Sequence, residues 1–300
     1  MDIESNNDIL EPKHENPNAE AIDLFDSDND ISEPEPKHEN PPNAEVIDLE
    51  TEQKVKDIYV VICVAKEKLE KSPFYSQFVE QMEHEEMVER IESVIATDPR
   101  YSRLQLVLYG LGRLNSEHRH MQFAFALLLR DKFKLVNDIE VYDPMHSAVE
   151  RMAIEAFNCT CLTINEHCKR KVDRPTLFFM PHLPFYLFDN VLKANWGPAN
   201  LKKILILGNT FSDFIESTVV ESTTQIKYIL SRPKMLCEVP LPEIVIKTSR
   251  SPVLCDPFPP VRRFIAKINL DPVYSEAFHG ISWHFWNTKK KKPNPCTPPV

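Results

Sequence analysis

Between residues 104 and 209, short β-rich runs alternate with longer helical patterns, and this alternation constrains the fold more than any other feature of the chain. Leu104-Gln-Leu-Val-Leu-Tyr109 reads as a strand, broken by Gly110-Leu-Gly112-Arg-Leu-Asn115. Ser116 and Glu117 then open a helix whose apolar face runs from Met121 to Leu129. Ile139-Glu-Val-Tyr-Asp143 is a second strand ending on an acid, a helix follows over about 147–157, and Cys159-Thr-Cys-Leu-Thr-Ile164 is again strand-like. Thr176-Leu-Phe-Phe-Met180 stops at Pro181, a helix carries Tyr186 to Ala194, and Leu201-Lys-Lys-Ile-Leu-Ile-Leu207 ends at Gly208-Asn209. Strands separated by helices of this length predict βαβ units, hence a Rossmann-like, doubly wound α/β fold with a mostly parallel sheet. Helical spacing from Val55 to about Ile95, interrupted at Ser72-Pro73, predicts two helices ahead of the first strand.

The charge is unevenly placed. Residues 1–50 hold 16 Asp and Glu against Lys13 and Lys37, so this segment carries −14 while the whole chain carries −10, leaving about +4 for the rest. The acidity belongs to an arm, and the near-neutral remainder does not indicate a nucleic-acid-binding face. The arm is a duplication: Glu11-Pro-Lys-His-Glu-Asn-Pro returns at Glu35, and the copies end at Leu24 and Leu49. A unit with so few aliphatic positions among acids and prolines does not offset the entropy of ordering, so the arm is expected to be disordered. Each copy closes on an aliphatic patch beside acids, Ile22 and Leu24 in the first, Val46, Ile47 and Leu49 in the second. An extended β-branched segment of this kind can add a strand to a partner's sheet edge, with the acids steering it to a basic rim. Val-Ile-Asp-Leu followed by acids resembles a SUMO-interacting motif; acidic tails also produce such tetrapeptides by chance, and the duplication is the argument for function.

The chain therefore divides into an acidic arm (1–50), a helical extension (51–99), an α/β domain (100–288) and a basic, Pro-rich tail (289–300). Lys289 to Lys292 reads either as a nuclear-import signal or as a solubilising end. Met1-Asp2-Ile3-Glu4 lacks the basic and apolar regions of a signal peptide, and no apolar run exceeds eight residues (Phe123 to Leu129 is seven), too short to span a membrane. A cytoplasmic and nuclear protein with seven reduced, mostly buried cysteines is expected.

In doubly wound sheets ligands sit beyond the carboxyl ends of the strands. The residues expected there are Tyr109, Gly110, Gly112 and Arg113, then Asp143, His182, Gly208 and Asn209, with Ser212 close by. The two glycines let backbone approach a ligand, and a helix beginning near Ser116 can face an anion. The dinucleotide fingerprint is incomplete: Asn115 stands where its third Gly belongs, and Asp143 lies 31 residues after Gly112 rather than about 20. Tight turns that merely connect strands are the competing reading. The sequence names no cofactor. Cys159, Cys161, Cys168 and His167 lack zinc-ligand spacing and read as structural, so no metal site is expected. His118 and His120 read as solvated, and His182 as a hydrogen-bonded structural histidine, with a base or an anion contact as the alternative. There is no Gly-x-Ser-x-Gly elbow, P-loop or His-Glu-x-x-His.

Tyr109-Gly-Leu-Gly112, Val141-Tyr-Asp-Pro144, Leu177-Phe-Phe-Met-Pro-His182, Asn195-Trp196, Ile206-Leu-Gly-Asn209-Thr-Phe211 and Ala277-Phe-His-Gly-Ile-Ser-Trp-His-Phe285 occur in an order that resembles the Sensitivity to Red Light Reduced (SRR1-like) family. The resemblance covers about residues 100–286. It implies a regulatory protein rather than an enzyme, linked to circadian clock input, clock-gene expression and haem-biosynthesis regulation. It carries no established reaction. One departure is Phe278-His279-Gly280, where the family has Phe-Asn-Asp, so any role of that acid does not transfer. The alternative is a transferase or sensor that binds a nucleotide-type cofactor at the Gly110/Asp143/His182 edge.

Overall fold

The computed structural model describes residues 48–212, 215, 226–231, 236–242 and 272–286. Its strands are β1 (Leu104–Tyr109), β2 (Val136–Tyr142), β3 (Thr160–Cys161), β4 (Thr176–Met180), β5 (Ile204–Asn209), β6 (Leu236–Pro240) and β7 (Ile281–Trp286). They form one sheet in the order β3-β2-β1-β4-β5-β7-β6. β1 runs parallel to β2 and β4, β2 to β3, and β4 to β5; β7 is antiparallel to β5 and to β6. The chain winds outward from β1 through β2 to β3, then returns to β4 on the other side of β1. That reversal makes the sheet doubly wound and marks a crevice at the carboxyl ends of β1 and β4. Every residue of β1, β4 and β7 is buried. Strands covered on both faces need no polar alternation, which is why Leu104–Tyr109 reads as an almost continuous apolar run.

The helices are α1 (Leu49–Glu70), α2 (Pro73–Glu83), α3 (Glu85–Ile95), α4 (Glu117–Asp131), α5 (Ala148–Glu155), α6 (Phe185–Ala194), α7 (Pro198–Leu201), α8 (Lys227–Leu230) and α9 (Pro272–Phe278). Among the described residues three helices, not two, precede β1. His84 adopts an extended conformation between α2 and α3, and its Nδ1 accepts the Glu86 N–H at 3.3 Å to start the second of them. α1 begins at Leu49 because the Asp48 carboxylate accepts the Thr51 N–H at 2.6 Å, an N-cap that starts the helix inside the expected arm. Leu49, expected in an extended patch, is therefore helical and 84% exposed. Ile22, Leu24, Val46 and Ile47, the rest of the repeat and the Lys289–Lys292 run lie outside the described residues. β3 keeps only two of its six expected residues, and β5 starts at Ile204 because the short helix opened by Pro198 runs through Leu201, where the strand was expected to begin.

Two cores sandwich the sheet. On one face α1, α2, α4 and α9 bring together Phe74, Phe78, Phe125, Phe278 and Trp283, with ring centroids of Phe74 and Phe278 4.6 Å apart and of Phe78 and Phe125 4.7 Å apart. α4 is buried from Met121 to Leu129 because α1 and α9 cover it beyond the sheet. On the other face α6 packs Phe188 against Phe178, Ile206 and Phe211. Each such side chain contributes about 1.5–3 kcal/mol by leaving water. Cys159 belongs to the first core and Cys168 to the second, so the sheet separates them and they cannot share a metal ion. Burial pushes both thiols up to about 12. Among the described residues no helix is long and apolar enough to cross a membrane.

Candidate functional site

The carboxyl edge of the sheet is built from turns whose chemistry is local. After β1, Gly110 and Gly112 both take positive φ, +77° and +69°. A side chain at Gly110 would collide with Leu183, and one at Gly112 with the Arg119 guanidinium. Arg119 lies across this loop, its Nη1 donating to the Leu111 carbonyl at 2.8 Å. After β2, Asp143-Pro144-Met145-His146 forms a turn closed by the His146 N–H on the Asp143 carbonyl at 3.3 Å, with Pro at the position that prefers its fixed φ. The Asp143 carboxylate accepts the Met145 N–H at 2.8 Å and, across the edge, the Gly112 N–H at 2.7 Å. The long sequence spacing between Gly112 and Asp143 thus ends in direct contact.

Glu150 makes the second tie. It completes a capping box with Ser147, and its other oxygen accepts the Leu114 N–H at 2.6 Å. Burial opposes its ionisation, yet the bonds from Ser147 and Leu114 hold its pKa below the ordinary value. One buried carboxylate therefore starts α5 and pins the loop after β1.

After β4, His182 carries φ +55°, a left-handed conformation that costs a non-glycine residue roughly 1 kcal/mol. It is held by Asn209, which accepts the His182 N–H at 2.8 Å and donates to the Leu183 carbonyl at 3.1 Å. The His182 ring reaches the Ala277 carbonyl at 3.1 Å. Although the residue is exposed overall, its ring is crowded, and loss of hydration lowers its pKa despite that backbone bond. His118 and His120 are not simply solvated: His118 sits 3.6 Å from Glu276, and His120 is 3.1 Å from the Leu114 carbonyl. His118, Arg119, His120 and His182 thus gather around the first turn of α4, a cluster that sequence spacing did not reveal.

Of the eight residues expected at this edge, the fold joins Gly112 to Asp143 and His182 to Asn209, and sets Gly110 against Leu183. Arg113 is exposed beside them. Tyr109 turns away; its buried hydroxyl donates to Glu166, which with Glu140 holds Arg170 beneath the sheet. Gly208 makes room for the Phe188 ring rather than for a ligand. Asn195 is fully buried and staples the segment before β4, accepting the Val172 N–H and donating to the Arg170 and Val191 carbonyls, all at 2.9 Å.

A further network at the antiparallel edge was not foreseen. Glu238 on β6 accepts the Phe211 N–H at 2.6 Å, the Ser212 N–H at 3.2 Å and the Ser212 hydroxyl. It also lies 3.1 Å from Nε2 of the fully buried His284, a contact that is poorly aligned as a hydrogen bond. Burial works against the charge, but His284 and the Ser212 and Phe211 donors bring the Glu238 pKa down to about 2. Ser212 bonds the carboxylate and not the imidazole, so the trio is wired to hold backbone rather than to activate a nucleophile. Among the described residues no group of three or more His, Cys, Asp or Glu is placed to hold a metal ion.

Comparison with known proteins agrees with the motifs this edge uses. The SRR1 domain family model matches residues 87–285. The chain is 33% identical over 229 residues to the Arabidopsis thaliana protein SENSITIVITY TO RED LIGHT REDUCED 1, covering 75% of this chain and 73% of that one. SRR1-like proteins of Mus musculus and Drosophila melanogaster match more locally, at 38% over 113 residues and 28% over 108. These two matches cover 45% and 39% of the relatives' own lengths. A solved structure, a mutant of MtNAS in complex with S-adenosylmethionine, aligns over 59% of this chain and 70% of that one at 15% identity; its TM-score of 0.29 is too low to bear on the fold or the site. The family model spans the sheet from α3 to β7, and with it the turns that Asp143, Asn209 and Glu238 hold together: this chain belongs to the SRR1 family.

Proposed function

We propose that the chain is a regulatory protein acting in light-linked and clock-linked gene expression, with haem-biosynthesis control as a further output. The observation that carries this reading is the 33% identity, over 75% of the chain, to an Arabidopsis protein named for reduced sensitivity to red light. Its folded domain serves as a rigid platform: three side chains, Asp143, Glu150 and Asn209, fix the loops at the carboxyl edge of the sheet. The acidic arm recruits a partner by strand addition, SUMO being the candidate that fits its aliphatic-then-acidic pattern. Because Leu49 is helical, the second copy would use Val46 and Ile47, and would need to unwind the first turn of α1 to include Leu49. The basic run at Lys289–Lys292 supports work in the nucleus as well as the cytoplasm.

The test is complementation. Arabidopsis plants lacking their 33%-identical relative are transformed with this chain, and red-light responses and the period of a clock reporter are measured. Restored responses support the reading; a well-expressed chain that restores neither removes it. Residues 1–52, prepared as a peptide, should bind SUMO, and replacing Ile22, Leu24, Val46 and Ile47 together with Ala should abolish the binding. A peptide that shows no binding removes SUMO as the partner.

A further inference from the structure

A pocket of about 300 Å³ opens beyond the carboxyl ends of β2 and β3. Val141, Pro144 and Leu162 supply apolar wall, while Asp143, His146 and Arg151 supply the polar groups. His146 is 94% buried by the complement of its 6% exposure, yet its Nε2 has no hydrogen-bond partner among the described residues. A buried imidazole nitrogen left unpaired costs roughly 1–3 kcal/mol, so the site is built for something that pairs with it.

Loss of hydration lowers the pKa of the His146 ring, outweighing Asp143, Glu150 and the nearby Gly112 backbone, which all favour its charge. In its neutral form the imidazole carries one N–H, and with that proton on Nδ1 the unpaired Nε2 is an acceptor. The Asp143 oxygens each accept one N–H and retain a free lone pair. The floor is therefore rich in acceptors, and its ideal guest brings two hydroxyl donors side by side. Arg151 stands at the mouth as the donor, its Nη1 anchored on the His146 carbonyl at 2.8 Å.

We propose that this pocket binds a ribonucleoside-type ligand, with the two ribose hydroxyls donating to Asp143 and His146 Nε2 and the base against Val141, Pro144 and Leu162. Three observations converge on it. In doubly wound sheets an acid at the end of the second strand is the group that takes a ribose hydroxyl, and Asp143 occupies that position. The orphaned His146 nitrogen lies in the same pocket. The volume sits at the lower end of small-molecule sites, right for a nucleoside and small for a dinucleotide. Arg151 then accounts for a 5′-phosphate or other anion, if the ligand carries one. The inference goes beyond the regulatory reading and does not depend on it: failed complementation would leave the pocket as it is, and an empty pocket would leave the complementation result as it is.

The experiment uses the full chain with adenosine, guanosine, cytidine and uridine, each beside its 2′,3′-dideoxy counterpart, in a thermal-shift series followed by calorimetric titration. At least one ribonucleoside should raise Tm by several degrees when present at a hundredfold excess over its Kd. Its dideoxy counterpart should bind at least tenfold more weakly. Thr163→Trp, an exposed rim position whose larger side chain fills the mouth, should abolish the shift while leaving the Tm of the free protein unchanged. His146→Gln should weaken binding at least tenfold. No shift with any of the four, equal binding of the dideoxy compound, or a shift that survives Thr163→Trp would each overturn the proposal; the first outcome would mean that water satisfies His146.

Discussion

Replacing Glu238 with Gln tests whether the antiparallel edge is held by a charge. The carboxylate is buried against His284 and three donors, and its pKa is about 2 where an ordinary glutamate has 4.5. A difference of that size corresponds to about 3 kcal/mol of folding free energy at neutral pH. The sign follows from the depressed value. The contribution is full above the unfolded pKa, declines as pH falls toward the folded one, and is gone below about pH 2. By linkage it stands at about 1 kcal/mol at pH 3. Urea titrations of the wild-type chain and Glu238→Gln, followed by tryptophan fluorescence at pH 7, 5, 4 and 3, should therefore show a gap of about 3 kcal/mol that narrows by about 2 kcal/mol at pH 3. If acid unfolds the chain before pH 3, the narrowing of about 1 kcal/mol already due by pH 4 is the readout. Carboxylates remote from this edge titrate in both proteins and cancel in the comparison, so the gap reports Glu238 together with its contact to His284. A gap that stays constant from pH 7 to pH 3, with equal m-values, would refute the argument. It would mean that Glu238 acts through shape and hydrogen bonding, not through its charge.

The remaining expectations concern the carboxyl edge and the cores. Gly112→Ala forces an alanine to φ +69° and displaces Arg119 from Leu111, so urea unfolding should show a loss of about 1–2 kcal/mol. Pairing it with Arg119→Ala should leave the backbone part of that loss in place; full recovery would mean that φ is not the cause. Asn195→Ala orphans the buried Val172 N–H and should cost about 2 kcal/mol, whereas a loss under about 0.5 kcal/mol would mean that water replaces the staple. Ser147→Ala removes one half of the capping box and should cost about 1 kcal/mol by the same assay, with no loss meaning that Glu150 alone suffices. Cys159 and Cys168, with thiol pKa values raised to about 12 by burial, should resist iodoacetamide at pH 8 in the folded chain and react once urea unfolds it; equal rates in both states would contradict their burial.

Much of the candidate site could be read from residue order because its turns are local. Gly110 and Gly112 announce backbone that bends sharply after a strand, Asp143-Pro144 announces a turn, and Ser147-x-x-Glu150 is a helix start that can be recognised in one dimension. What the capping signature does not reveal is that Glu150 also reaches the Leu114 N–H 36 residues back. The spacing from Gly112 to Asp143 departed from the dinucleotide fingerprint, yet the two meet, because sequence distance counts the length of the intervening helix and the fold cancels it. His146, Arg119 and Glu238 carried no signal at all: a buried histidine, an arginine lying across a loop and a glutamate in an antiparallel strand look like any others until their neighbours are known.

The alternation of apolar runs, read with the periods of strand and helix, determined that this chain makes a mostly parallel α/β sheet, since those periods depend only on backbone geometry and on which residues avoid water. Residue order also determined the turns after β1, β2 and β4. Tertiary structure decided the rest. It placed β7 between β5 and β6, split Cys159 and Cys168 between two cores, and brought Glu238 onto His284, across 46 residues of chain. Pairings of that kind are settled by which surfaces remain to be buried once the local elements exist, and a sequence window does not contain that information.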